Sequence, residues 1–252
     1  MINKIPSTVE QYDDPRLVAL YDILNPFAAD TQFYIDLAEK LSAHNIIDVG
    51  CGTGLLTCEL ANRGYDVIGV EPAGAMLEVA RNRQGGESVR WIQGGASLLT
   101  GLDADLVIMA GHVAQVFLDA NRWSKNLTFI HDALTPNGYV AFESRNPAAR
   151  PWDTWTRELS EIEISHPRSG KVAVWHELED VQNDLASFKS HYFFKDQSKD
   201  LVVQSKLRFP VQEEIEQSLF DAGFSIEDVY GNWDGSPVDK DSRELIFIAK
   251  RK

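Results

Sequence analysis

The stretch Ile46-Ile47-Asp48-Val49-Gly50-Cys51-Gly52-Thr53-Gly54 restricts this chain more than any other. A short apolar run closes around an acid, and three glycines follow at alternate positions. Leu55, Leu56 and Leu60 then open a helical pattern. The spacing predicts a buried strand, a tight turn and a helix start. A side chain at Gly50, Gly52 or Gly54 would forbid the dihedrals such a turn needs, or block the close approach of a ligand. The helix opening behind the turn offers unpaired N–H groups and the positive end of a dipole.

The pattern repeats in coarser form. Asp66 to Val70 reads as a second strand ending at Glu71, and Glu71-Pro72 leads into a helix with Met76, Leu77 and Ala80. Val89 to Ile92 reads as a third strand and Asp105 to Met109 as a fourth. A helix through Trp123, Leu127, Ile130 and Leu134 stops at the turn signal Thr135-Pro136-Asn137-Gly138, before a fifth strand from Tyr139 to Glu143. Strands alternating with helices in this way require a parallel sheet covered on both faces. Ahead of it, residues 1–44 read as two amphipathic helices, the second capped by Asp30 or Thr31.

After residue 156 the rhythm changes. Ile162 to Ile164, Lys171 to His176, Ser187 to Lys195 and Leu201 to Phe209 alternate in period two, with turn-forming stretches between them. This predicts a small antiparallel β insert over 157–209. A helix from Pro210 to Gly223 and two closing strands, around Ile226 to Tyr230 and Glu244 to Ala249, restore the earlier rhythm. The expectation is an α/β chain with a Rossmann-like, doubly wound, seven-stranded sheet whose last strand is antiparallel. Residues 1–156 and 210–252 form one unit, and 157–209 form an insert over the acceptor site.

Glycine spacing separates the two cofactor classes that use such a turn. The dinucleotide fingerprint G-x-G-x-x-G would put its third glycine at position 55, which is Leu55. The pattern D-x-G-x-G-x-G here resembles the first motif of the class I S-adenosylmethionine (SAM)-dependent methyltransferases. The resemblance covers about 40–145 and 205–250, and it implies methyl transfer from SAM by in-line displacement.

Cofactor-binding residues are then expected at Asp48, Gly50, Cys51, Gly52, Thr53 and Gly54 in the turn, and at Glu71 and Pro72, with Glu71 taking the ribose hydroxyls. The resemblance places Met76 against the adenine and Ala110, Gly111 and His112 after the fourth strand. It also implies leading helices over the cofactor, with Tyr12 or Tyr21 reaching in. Gly95 stands where the family usually carries an acid for the adenine amino group. That leaves Ala96 backbone or the Ser97 hydroxyl as substitutes, at a cost of about one hydrogen bond, roughly 0.5–1.5 kcal/mol.

The acceptor faces the carboxyl ends of the strands. His112 and Gln115 are the polar candidates for chemistry there, with His176 and His191 as further possible bases. Tyr12, Tyr21, Arg145, Trp152, Trp175, His176 and Tyr192 are candidate acceptor-binding residues. The formal net charge of −14 argues against a nucleic-acid partner, as does the absence of a Lys/Arg-rich run. No D-P-P-Y or N-P-P-Y tetrad and no Pro-Cys dipeptide follows the fourth strand, so base methylation is not expected. The acceptor is expected to be a small molecule methylated on N or O.

Two cysteines, Cys51 and Cys58, carry no metal spacing, and no metal is expected. Met1 to Pro6 has no apolar core, and no apolar run approaches the roughly 18–20 residues of a membrane span. The chain is expected to be cytoplasmic, off the membrane, and a monomer or homodimer. Rival readings are a non-catalytic SAM-binding protein and an NAD(P)-dependent oxidoreductase. The latter lacks both the glycine spacing and a Tyr-x-x-x-Lys after the fifth strand.

Overall fold

The computed structural model describes residues 12–252. The expectation about Met1 to Pro6 lies outside the described residues. Helix α1 (Pro15–Leu24) has Pro15 in its first turn, and the Asp14 carboxylate caps it by accepting the Arg16 N–H at 2.9 Å. Helix α2 (Ala29–Lys40) starts earlier than its sequence suggests. Ala28 is the cap position, and Asp30 lies in the first turn, where its side chain accepts the Thr31 N–H at 2.7 Å.

The main sheet follows, built from β1 (Asn45–Val49), β2 (Asp66–Glu71), β3 (Arg90–Gln93), β4 (Ala104–Met109) and β5 (Leu134–Arg145). Between them run α3 (Leu55–Asn62), α4 (Gly74–Arg81) and α5 (Ala120–Asp132). β5 begins before Tyr139, because Leu134 already pairs with Ala104, and the predicted turn is absorbed as an irregularity in the ladder with Asn137 at φ 69°. Leu134 therefore belongs to the strand and not to the helix before it.

Beyond β5 lie a one-turn helix α6 (Arg157–Ser160) and the strands β6 (Ile162–His166), β7 (Gly170–Gln182), β8 (Leu185–Phe194) and β9 (Lys199–Arg208). These four pair antiparallel in sequence order as a second sheet. Helix α7 (Gln212–Asp221) and strands β10 (Phe224–Tyr230) and β11 (Glu244–Arg251) complete the main sheet, whose order is β10-β11-β5-β4-β1-β2-β3. β11 is antiparallel to both its neighbours.

Alternation along β4 explains why the main sheet is buried on both sides. Leu106 and Ile108 pack with Tyr34, Ile35, Leu56 and Leu60 on one face. Val107 and Met109 pack with Trp123, Leu127, Ile130 and Leu219 on the other. α1 joins the two sheets. Its Leu20 packs against Val172, Val174 and Phe194 of the second sheet, while Val18 packs against Ala73 and Met76 beside the main sheet. Among the described residues, no helix is long and apolar enough to cross a membrane.

Candidate active site

A cavity of about 620 Å³ opens where the carboxyl ends of β1, β4 and β5 meet the inner face of the second sheet. That size lies within the roughly 300–1,000 Å³ of small-ligand sites. Of the expected residues, Asp48, Gly50, Cys51, Thr53, Met76, Ala110, Gly111 and His112 line it from the main sheet, joined by Arg145. Tyr12 and Tyr21 line it from the α1 side, and His176 and Tyr192 from the second sheet.

The glycine turn has φ of 76°, 55° and 74° at Gly50, Gly52 and Gly54, so any other residue would be strained at each. The close approaches differ from those expected. A Cβ on Gly50 would lie 2.4 Å from Val113 Cγ2, and one on Gly54 would lie 2.8 Å from Trp91 Cη2 and 2.9 Å from Ala80 Cβ. Those two glycines make room for the protein's own side chains. Only at Gly52 does the neighbour stand back, with the Tyr21 ring 3.5 Å away.

The chemistry around the turn suits a cationic, hydroxyl-bearing cofactor. Glu71 is buried at the end of β2, its Oε2 accepting the Gly52 N–H at 3.1 Å and its Oε1 accepting the Ala73 N–H at 2.9 Å. Each oxygen keeps a second lone pair, enough for two hydroxyl donors. Burial pushes its pKa up, and the two backbone donors oppose that. Asp48 accepts the Thr57 hydroxyl at 2.6 Å, and burial pushes its pKa up to about 7. A cation in the cavity would restore the ionised form. Met76 is buried and faces the same space. Gly95 has an ordinary φ of −116°, and a Cβ added there would meet nothing within 4 Å, so an acid is sterically admissible at that position.

At the opposite wall, β4 ends in two left-handed residues, Gly111 (φ 74°) and His112 (φ 61°). A left-handed histidine is held by partners on both sides. Its N–H donates to Glu143 Oε1 at 2.5 Å, and its Nε2 lies 3.0 Å from Glu244 Oε2. Nδ1 lies 4.0 Å from Glu143 Oε1, beyond a hydrogen bond. Glu143 is fully buried, takes the Tyr34 hydroxyl as a second donor, and has its pKa raised by that burial.

Several expected residues are not brought to the cavity. Gln115 is fully buried behind the wall, where its Oε1 accepts Arg145 Nη1 at 2.9 Å and its Nε2 donates to the Arg208 carbonyl at 2.8 Å. Strand alternation sends Val174 and His176 inward and Trp175 to the outer face of the second sheet. Trp175 is sandwiched there between Arg157, 4.3 Å above its ring, and His191, stacked at 4.6 Å. His191 is thereby also turned outward, between Glu177 and Asp200. Trp152 packs on Phe209 at 4.9 Å, at the base of the second sheet. Pro72, Gly95, Ala96 and Ser97 lie outside the cavity lining, as do Gly52 and Gly54 of the turn itself and Glu71, which is bonded to the turn from behind.

Glu143, Glu244 and Tyr34 are joined to His112 in one hydrogen-bonded group that sequence reasoning misses. The polar run Glu143-Ser144-Arg145 closing an apolar strand is a visible signal for the first. Glu244 becomes assignable only with the pairing of β11 against β5, which sets it opposite Arg145. Among the described residues, no cluster of three or more His, Cys, Asp or Glu is arranged to hold a metal, and both cysteines are free.

Residues 46–138 match the family model of the methyltransferase domain. The chain is 25% identical over 252 residues to the glycine/sarcosine N-methyltransferase of Halorhodospira halochloris, covering 97% of this chain and 87% of the relative. Among solved structures it is similar to the CcbJ methyltransferase of Streptomyces caelestis, with a TM-score of 0.79 at 18% identity over 96% of this chain and 98% of that one. It is also similar to SAM-bound CalS10, an amino pentose methyltransferase of Micromonospora echinaspora, with a TM-score of 0.68 at 21% identity over 92% and 97%. The motif, the strand order and the matched domain agree, and together they support a class I SAM-dependent methyltransferase.

Proposed function

We propose that the chain methylates a nitrogen atom of a small amine held in the cavity between its two sheets. One observation carries this reading: a single cavity is bounded by the glycine turn on one side and by Arg145 and the second sheet on the other. Cofactor and acceptor thus share one space. SAM, when bound, supplies an electrophilic methyl group, and the protein's task is alignment. Positioning of this kind supplies on the order of 7–11 kcal/mol.

In this reading Glu71 takes the ribose hydroxyls, Asp48 and the turn 50–54 face the methionyl end, and Met76 packs on the adenine. Tyr12 and Tyr21 close the cofactor from the α1 side. His112 takes the proton that the amine loses. The Glu244 carboxylate accepts the Nε2 proton, which leaves the basic lone pair on Nδ1. The insert 157–209 acts as a lid, with His176 and Tyr192 facing the acceptor. The relative that matches nearly the whole chain supports nitrogen as the target, being named a glycine/sarcosine N-methyltransferase.

The test is a screen with methyl-labelled SAM against pooled small amines and alcohols. Labelled low-mass amine formed in step with S-adenosylhomocysteine (SAH) is the expected result. Label on oxygen would move the target atom. SAM binding without any transfer would make the chain a SAM-binding protein.

A further inference from the structure

We propose that the acceptor carries a carboxylate, and that Arg145 at the end of β5 and His176 of the second sheet clamp it from two sides. The inference rests on the methyl-transfer reading above and adds the chemical class of acceptor.

Arg145 is the one Lys or Arg among the described residues lining the cavity. Arg145 is half-buried, and burial pushes its guanidinium pKa down while the charges of Glu244 and Glu143 oppose that from beyond contact distance. Yet its side chain donates to a neutral amide, Gln115 Oε1 at 2.9 Å. No carboxylate among the described residues comes within ion-pair distance of it. By contrast Arg16, Arg63, Arg83, Arg150, Arg157 and Arg208 all pair with acids.

The chain is not short of partners, with 38 Asp and Glu against 24 Lys and Arg. The nearby acids are committed elsewhere. Glu244 is Arg145's cross-strand neighbour, but its Oε2 holds His112 Nε2. Glu143 takes the His112 N–H and the Tyr34 hydroxyl. A half-buried guanidinium with N–H donors open to the cavity is a ready counterpart for an anion. Gln115, locked by its bond to the Arg208 carbonyl, fixes the fork in place beforehand.

His176 supplies the second side. Its Nδ1 lies 3.0 Å from Ser190 Oγ and its backbone N–H donates to Ser160 Oγ at 2.9 Å, so the ring is fixed. Its Nε2 has no partner among the described residues, and the ring lines the cavity. Burial, and then the Arg145 charge, push its pKa down, so a neutral ring stands beside the cation. With Ser190 Oγ–H donating to Nδ1, Nε2–H faces outward as a donor. A planar carboxylate matches the arginine fork and one further N–H donor.

A second source of the same group exists: SAM's own methionyl carboxylate. Topology favours the acceptor, because the turn and Glu71 belong to β1 and β2, whereas Arg145 lies beyond β4 on β5.

The experiment uses the full chain, wild type and the variants Arg145→Gln, Arg145→Lys and His176→Gln, each checked by thermal melting. SAM affinity is measured first by calorimetry and should stay within about threefold in every variant. Transfer from labelled SAM is then measured to glycine, sarcosine and β-alanine against glycinamide and sarcosinamide. Binding of acetate to the SAH-loaded chain is followed in parallel. The carboxylates should be preferred over their amides. Arg145→Gln should lose about 10- to 100-fold in kcat/KM for the carboxylates, mostly through KM, and little for the amides. Arg145→Lys should recover part of the loss, and acetate binding should require Arg145. Equal use of amides and carboxylates would overturn the clamp while leaving methyl transfer intact. So would transfer to neutral amines alone, or no acetate binding. Loss of SAM affinity in Arg145→Gln would assign the guanidinium to the cofactor instead. Failure of the wild type to bind SAM would remove the reading beneath the clamp.

Discussion

At the scale of the residue, the site is a set of buried charges whose partners reveal their use. Glu71 illustrates it: two backbone donors hold its carboxylate in place and leave lone pairs free. Glu71→Ala should weaken SAM binding by about 1.5–3 kcal/mol in a calorimetric titration of the folded variant. Asp48 makes a sharper prediction. Folding raises its pKa from 3.8 to about 7, so the protonated form is favoured in the native state. The stability tied to this group is intact below about pH 4 and is lost as the pH rises towards 7. Asp48→Asn keeps an oxygen for the Thr57 hydroxyl and cannot ionise. Urea unfolding should show the variant gaining on wild type by up to roughly 4 kcal/mol between pH 4 and pH 8. A difference that does not vary with pH would contradict the assignment. Gly95→Asp should fold normally, since its φ is ordinary and its Cβ space is open, and SAM affinity should hold or rise. The turn and Glu71 are legible in the sequence because covalent spacing alone places them. The reason for Gly50 and Gly54 is not, because Val113, Trp91 and Ala80 reach them only in the folded chain.

At the scale of the element, α1 is the piece that serves both sheets. It packs on the second sheet through Leu20 and is tied to the glycine turn through Asp22, which accepts the Thr53 hydroxyl at 2.5 Å and pairs with Arg83. Asp22→Ala should speed SAM dissociation about three- to tenfold in stopped-flow measurements, with a small change in melting temperature. Unchanged dissociation would separate α1 from the cofactor's exit. The order of strands and helices is legible from periodicity, and so is the antiparallel insert. The inner and outer faces of that insert are not. The run Val172 to Trp175 is apolar on both sides, so Trp175 reads as a pocket residue until stacking with His191 and cover by Arg157 place it outside. The start of α2 is hidden in the sequence because Asp30 serves its first turn without being its cap.

At the scale of the whole molecule, two sheets and one helix enclose a single space, and that enclosure is the account's central claim. The main sheet sets the residues proposed to hold the cofactor at the ends of β1 and β2, and β4, β5 and the insert face the other half of the cavity. A net charge of −14 disfavours polyanions at the surface and suits the small amine proposed as acceptor. A second groove of about 400 Å³, between α2 and the segment before β11, is lined by Phe33, Tyr230 and Trp233 and lies apart from the turn. It is the natural control. Amide hydrogen exchange of the full chain with and without saturating SAH tests the claim most directly. Slowed exchange is predicted at 48–54, 71–76, 110–112 and across α1, with the groove segments 29–40 and 230–235 unchanged. Protection confined to those groove segments, with the glycine turn exchanging as fast as in the free protein, would contradict it.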